Sequence, residues 1–395
     1  MPPRTILYTG KGGVGKTSVA AATARACAAA GQRTIVVSTD PAHSLADSLG
    51  LALGDEPTRV GDLLDAQQVG AQEEMEHNWG AVQDWLGQIL VERGVDQISA
   101  EELTVPPGLD ELFSLLQIKR HYEEGVYEVI VVDCAPTGET LRLLSFPDVA
   151  RWWLEKVFPQ QSRMMDAARP FARAVLDVSL PGDDVLEDVQ RLIRNLIAMN
   201  EILRDHENVS IRLVMNPDRM VIDEARRTFT YLNLYGFLTD AVIVNRMFPD
   251  DVGSYFEAWR ARQQDQLAEV EASFAPVPVL RASYFEEEVL GPEMLDRLGA
   301  ALFADVAPAD VLHATLAQEL TVRRDSATLR LDLPFAEKGD ISLKKIGLEL
   351  IVRVDGHKRA LLLPPALEDY RPTGASFADG ALNVTFDGPK TPARS

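Results

Sequence analysis

The stretch Thr5–Ser18 reads TILYTGKGGVGKTS. Its first five residues are β-branched or apolar and predict a strand over Thr5–Thr9. Four glycines then break the pattern, and the alanine-rich run from about Lys16 to Ala30 predicts a helix that Gly31 is placed to stop. A glycine loop ending in Gly-Lys-Thr between a strand and a helix is a phosphate cradle. Its glycines let backbone N–H groups close around phosphate oxygens, and the helix N-terminus adds the positive end of its dipole. Gly10, Lys11, Gly12, Gly13, Val14, Gly15, Lys16, Thr17 and Ser18 are therefore the candidate nucleotide-binding residues. Lys16 is expected to reach the β- and γ-phosphates and the Thr17 hydroxyl to ligate Mg²⁺, which makes ATP and Mg²⁺ the expected cofactors.

Outward from this loop, Thr34–Thr39, Val129–Asp133, Ser210–Met215 and Ala241–Asn245 read as further strands alternating with helical stretches. Continuous apolar runs such as VIVV suit strands covered on both faces, so the fold class is α/β with a parallel sheet of the P-loop NTPase kind. Two helical insertions are expected, at about 73–103 and 147–206. The second carries Trp152, Trp153, Phe158, Met164 and Met165 among many charges. That composition suits either an apolar surface for varied partner segments or plain core packing. After about Thr321 the pattern changes to short alternating strands between Gly, Pro and Asp turns. The expected domains are 1–315 for the sheet and its insertions, 321–388 for a small all-β sandwich, and 389–395 as a tail.

Sixty acidic against 39 basic residues give the 395-residue chain a net charge of −21. Such a chain repels phosphate backbones, so broad nucleic-acid binding is excluded as an expectation. The start, MPPRTILYTGKGG, has no signal-like apolar region, and no apolar run reaches ~18 residues. Cytoplasmic placement is expected. Two cysteines, Cys27 and Cys134, are too few for a four-cysteine zinc site or an iron–sulfur cluster in one chain. Cys27, on the alanine-rich helix, reads as a small buried hydrophobe, and Cys134, beside Asp133, as a structural residue with a redox role the alternative.

Lys11, the extra lysine in KGGVGKT, resembles the deviant Walker A of the signal-recognition, MinD and BioD-like ATPases. With Asp40-Pro41-Ala42-His43-Ser44, Pro107-Gly108-Leu109-Asp110-Glu111 and Asp133-Cys134-Ala135-Pro136-Thr137-Gly138, the chain over about 4–300 resembles the ArsA/guided-entry (tail-anchored protein targeting) ATPase family. That resemblance implies a homodimer in which Lys11 acts on the partner's nucleotide, Asp40 as the water-activating carboxylate, and Asp133 as the Mg²⁺ partner. It implies Asn245 at adenine, although Asn at a strand end is often a turn residue. It also implies apolar, tail-anchor-like client segments and a membrane receptor as partners.

Three departures stand out. Glu139 replaces a histidine common in the family's second switch segment. No CxxC exists for the zinc clamp of eukaryotic members, and two cysteines cannot supply the three-thiol arsenite site of the pump members. The segments Leu348–Leu363 and Ala375–Phe386 resemble an α-crystallin-type sandwich appended to some ArsA-like ATPases, acting either as a second apolar binder or dimer brace or as a structural cap. The rival functions are an arsenite-pump motor, a MinD/ParA-like positioning ATPase, and a nucleotide switch without turnover.

Overall fold

A computed structural model describes residues 2–39, 44–69, 109–134, 183–323, 326–355, 357–364, 367 and 369–388, with isolated helical positions between 80 and 91. Asp40, His43, Glu139 and the aromatic and methionine residues of the second insertion (Trp152, Trp153, Phe158, Met164, Met165) lie outside them.

Eight strands build the main sheet: β1 (Arg4–Thr9), β2 (Thr34–Ser38), β3 (Thr58–Gly61), β4 (Leu64–Gln68), β5 (Val129–Asp133), β6 (Val209–Met215), β7 (Thr239–Met247) and β8 (Val279–Ser283). Their order is β3-β4-β2-β5-β1-β6-β7-β8. Only the edge strand β3 runs antiparallel; β1 pairs in parallel with β5 on one side and β6 on the other. The chain direction of winding reverses at β1. The crevice beyond its carboxyl end is thus where an α/β sheet places a ligand.

The described helices are α1 (Lys16–Ala29), α2 (Ser44–Leu49), α3 (Leu109–Glu124), α4 (Asp183–Leu203), α5 (Arg219–Tyr235), α6 (Gly253–Phe274) and α7 (Gly291–Leu302). On one face of the sheet Val19, Ala22 and Ala24 of α1 share a core with Leu295 and Leu298 of α7. The small side chains let the two helices nearly touch: a Cβ on Gly299 would sit 3.1 Å from the Ala22 carbonyl oxygen. The opposite face is covered by Leu115 and Ile118 of α3 and by Met199 and Ile202 of α4.

Beyond α7 the chain is tied back to the sheet by two arginines, Arg212 buried and Arg4 partly so. Arg212 donates to the carbonyls of Pro308 and Asp310, and Arg4 to that of Ala309, while both ion-pair with buried Asp240. Seven antiparallel strands follow in two small sheets, β14-β15-β10-β9 and β11-β12-β13. They are β9 (Gln318–Val322), β10 (Ser326–Asp332), β11 (Ile341–Ile346), β12 (Glu349–Val354), β13 (His357–Leu362), β14 (Arg371–Ala378) and β15 (Ala381–Asp387). Alternate residues such as Leu329, Leu331, Val352, Val384 and Phe386 point inward to one core, as a half-buried strand pattern requires. This sandwich is fastened to the far end of α5. Leu234 joins its core, Tyr231 donates to Asp355 at 2.9 Å and stacks on His357 at 3.8 Å, and the Arg359 guanidinium donates to the Leu234 carbonyl.

Candidate nucleotide site

The loop between β1 and α1 is held from beneath by two neighbouring strands. Gly10 lies so close to β6 that a Cβ would sit 2.1 Å from the Val214 carbonyl oxygen. Gly15, with φ of 92°, would place a Cβ 2.4 Å from the Asn245 amide nitrogen. Both positions admit only glycine, because any side chain would push the loop off its support. Asn245, at the carboxyl end of β7, donates from Nδ2 to the Val14 carbonyl at 2.9 Å and accepts from the Arg246 N–H, also at 2.9 Å. Arg246, in the left-handed region at φ 60°, turns its guanidinium onto the Gly13 carbonyl at 2.8 Å. With these carbonyls drawn to one side, the loop's N–H groups are left for the other.

Lys16 opens α1 and is buried, its ammonium donating to the Lys11 carbonyl at 3.4 Å. The Thr17 hydroxyl lies 3.1 Å from that of Ser44 on α2. Asp133 ends β5 fully buried, with the Ser38 hydroxyl donating to Oδ2 at 3.4 Å. Hydroxyl and carboxylate oxygens beside the loop are the hard donors that suit Mg²⁺, which keeps several waters and takes few protein ligands. Thr17 and Asp133 therefore fit it. Lys11 is placed differently from Lys16: it is 37% exposed and its ammonium sits 3.3 Å from Glu224 on α5.

A cavity of about 490 Å³ opens beside the loop, within the range of small-molecule sites. Gly12, Gly13, Gly15, Lys16, Thr17 and Ser18 form one wall, and the segment 284–290 after β8 forms the facing one, with Tyr284, Phe285, Val289 and Leu290. Asn245 and Arg246 close its floor. Neither that facing wall nor Arg246 nor Glu224 was singled out by the sequence. A loop that reaches the site only through β7–β8 pairing carries no local motif.

The thiols stand apart. Cys27 belongs to the core on one face of the sheet and Cys134 to the core on the other. Burial pushes Cys27 up to about 11; burial, with neighbouring Asp133, pushes Cys134 further above the usual thiol range.

A phosphate loop at the reversal point of a parallel sheet, with a buried lysine and a strand-end aspartate beside it, defines a P-loop NTPase. The chain matches the anion-transporting ATPase family over residues 3–304 and the HSP20-like domain found in ArsA over 324–386. It is 38% identical over 391 residues to a protein of Prosthecochloris vibrioformis named as an arsenical pump-driving ATPase, covering 97% of this chain and 96% of that one. A protein of Aquifex aeolicus named in the same way is 36% identical over 383 residues, 94% of this chain and 97% of its own length. The protein named ATPase get3 from Aspergillus terreus is 30% identical over 322 residues, 77% of this chain and 92% of that one. The chain belongs to the ArsA ATPase family and carries that family's HSP20-like domain. Among the described residues, no helix is long and apolar enough to cross a membrane.

Proposed function

We propose that the chain hydrolyses ATP with Mg²⁺ as a pair of identical copies and couples that cycle to the binding or targeting of apolar, tail-anchor-like client segments. The observation that carries the nucleotide part is the loop geometry: Lys16 buried at the start of α1, with Thr17 and Asp133 beside it. In this reading the loop N–H groups and Lys16 bind the β- and γ-phosphates. Thr17 and Asp133 hold Mg²⁺, which when bound offsets charge on the phosphate oxygens. The base lies against Tyr284 and Phe285, and Asn245 completes the adenine side while supporting the loop. Asp40 orients the attacking water. Lys11 leaves Glu224 and reaches the partner copy's γ-phosphate, where its charge matters most as the bond breaks. Both members of the Lys11–Glu224 pair are partly exposed, so separating them costs at most about 1 kcal/mol. That is a small barrier beside the contacts a second copy offers.

Clients would meet the Trp152, Trp153, Phe158, Met164 and Met165 segment, opened and closed as the two switch segments follow the nucleotide. A membrane receptor would take the client on. The working place is the cytoplasm.

An arsenite-pump motor is the second reading, favoured by the names of the relatives that span the whole chain. Cys27 and Cys134, on opposite faces of the sheet, offer no paired thiols for the metalloid.

The test is turnover and nucleotide binding in two variants. Lys16→Ala is expected to abolish both, and undiminished turnover would remove the site. Asp40→Asn is expected to retain ATP and slow hydrolysis ~10²-fold or more; equal loss of binding would make Asp40 a structural or metal residue instead. With ATP, the Asp40→Asn protein should capture apolar helices that its ADP form releases. Capture in neither state would remove the client role.

A further inference from the structure

Trp259, Arg262, Gln263 and Gln266 recur at i, i+3, i+4 and i+7 of α6 and so share one side of the helix. All four line a second cavity, of about 470 Å³, which shares Arg246 and Tyr284 with the nucleotide cavity. The two glutamines fix the loops that face them. Gln263 Oε1 accepts from the Phe248 N–H at 2.7 Å, and the Gln266 amide bridges the Pro217 carbonyl and the Arg219 N–H. The hollow is held in shape by the protein's own hydrogen bonds, as small-molecule sites usually are.

Three kinds of group line it. Arg219, Arg246 and Arg262 reverse the sign of a chain whose net charge is −21, and the lining carboxylate, Asp218, is occupied in capping the Met220 N–H. Arg246 already holds the Gly13 carbonyl, whereas Arg219 and Arg262 make no ion pair among the described residues. The Arg262 guanidinium lies over the Trp259 ring at 5.3 Å, a stacking that steadies it and leaves its N–H edge for an anion. Trp259 and Tyr284 present half-exposed rings, with Phe248 5.6 Å from Tyr284. Asn216 completes the lining, its Oδ1 buried and without a hydrogen-bond partner. A buried acceptor left unpaired is costly, and a ligand N–H would satisfy it.

We infer that this cavity binds a nucleoside monophosphate, at a site separate from the phosphate loop. Arg219 and Arg262 take the phosphate through charge-assisted, forked hydrogen bonds. The base stacks on Trp259 or Tyr284, a contact that any planar ring can make. An amino group on the base donates to Asn216 Oδ1, which favours adenine over a base without one. The volume accommodates one such ligand. Its lining includes no glycine, so a chain of phosphates lacks the backbone N–H cradle that the first cavity gives it. One phosphate against two unpaired arginines is the better match of charge. The inference does not depend on the two-copy or hydrolytic reading above.

Calorimetric titration of adenosine monophosphate (AMP) into the full chain saturated with ADP and Mg²⁺ tests this, because ADP fills the first cavity. One AMP per chain is expected to bind, with ADP retained. Arg219→Glu with Arg262→Glu should weaken AMP by at least about 30-fold, while ADP binds as tightly as it does to wild type, which shows the fold intact. Trp259→Ala should weaken AMP by about 5-fold or more. Inorganic phosphate or adenosine alone should bind at least about tenfold less tightly than AMP. Lys16→Ala should leave AMP binding unchanged, so failure of the phosphate-loop reading and failure of this one are told apart. No AMP bound at millimolar concentration, AMP that displaces ADP, or AMP binding unaltered in the arginine variant would overturn the inference. So would inorganic phosphate that binds as tightly as AMP, the mark of a bare anion site.

Discussion

Lys11 and Lys16 lie in one loop, five residues apart, yet only Lys16 is buried. Position in the helix makes the difference: Lys16 is the first residue of α1 and its stem is enclosed by the loop, whereas Lys11 stands out from the loop and leans on Glu224. Asn245 shows the same dependence on local geometry. The resemblance assigns it to adenine, while its amide is engaged with Val14 and Arg246 under the loop. One measurement separates these roles. If support of the loop dominates, Asn245→Ala should weaken ATP and GTP alike, by about 5- to 10-fold for a lost buried hydrogen bond; loss confined to ATP would return the residue to base recognition. The thiols make a second residue-scale prediction. Both are buried with raised pKa values, so the reactive thiolate is scarce at neutral pH. A disulfide reagent should find almost no thiol in the native protein and two after unfolding. Rapid labelling of the native protein at pH 7 would contradict the placement of Cys27 and Cys134.

The elements the sequence made legible are those with local signals. The β1 strand, glycine loop and α1 follow from one unbroken stretch, Arg4–Ala29, and VIVVD reads at once as a covered strand. Strand β4 does not, because LDAQQ is polar and wholly buried. It is stabilised by partners far along the chain: Tyr127 donates to Asp65 at 2.9 Å, and His121 Nε2 meets Gln67 Oε1 at 2.5 Å. Buried polar groups with satisfied hydrogen bonds defeat any reading by hydrophobic pattern. Strands β3 and β8 were missed for a related reason, since each is a short edge strand on which little apolar sequence is needed. The His121 contact has a consequence for pH. Burial holds its imidazole below the usual range, so the folded chain keeps it neutral while the unfolded chain takes a proton near pH 6.5. Below that pH the unfolded state binds more protons, and stability falls as pH falls. Urea unfolding at pH 7 and pH 5.5 should show a smaller loss in His121→Asn than in wild type. Equal losses would mean that His121 is protonated in the fold.

At the scale of the whole molecule, α5 joins three parts. Its first turns carry Glu224 beside the loop, its middle packs on the sheet through Ala225 and Phe229, and its last turn is fastened to the β sandwich by Tyr231 and Leu234. The sandwich is thus held to the helix whose other end faces Lys11, a long-range arrangement that no motif announces. The α/β class and the sandwich were legible because each repeats its own hydrophobic period; their mutual placement depends on side chains such as Arg359 and Asp355, which read as ordinary surface charges. We propose that hydrolysis takes place between two copies, with Lys11 of one serving the nucleotide of the other. Co-expression of a Lys11→Ala chain and a Lys16→Ala chain under different affinity tags, with isolation of the mixed pair, tests it most directly. Each variant alone should be inactive. In the mixed pair the Lys11→Ala copy retains a sound loop and receives Lys11 from its partner, so ATP hydrolysis should return. A mixed pair as inactive as its parents would contradict the claim.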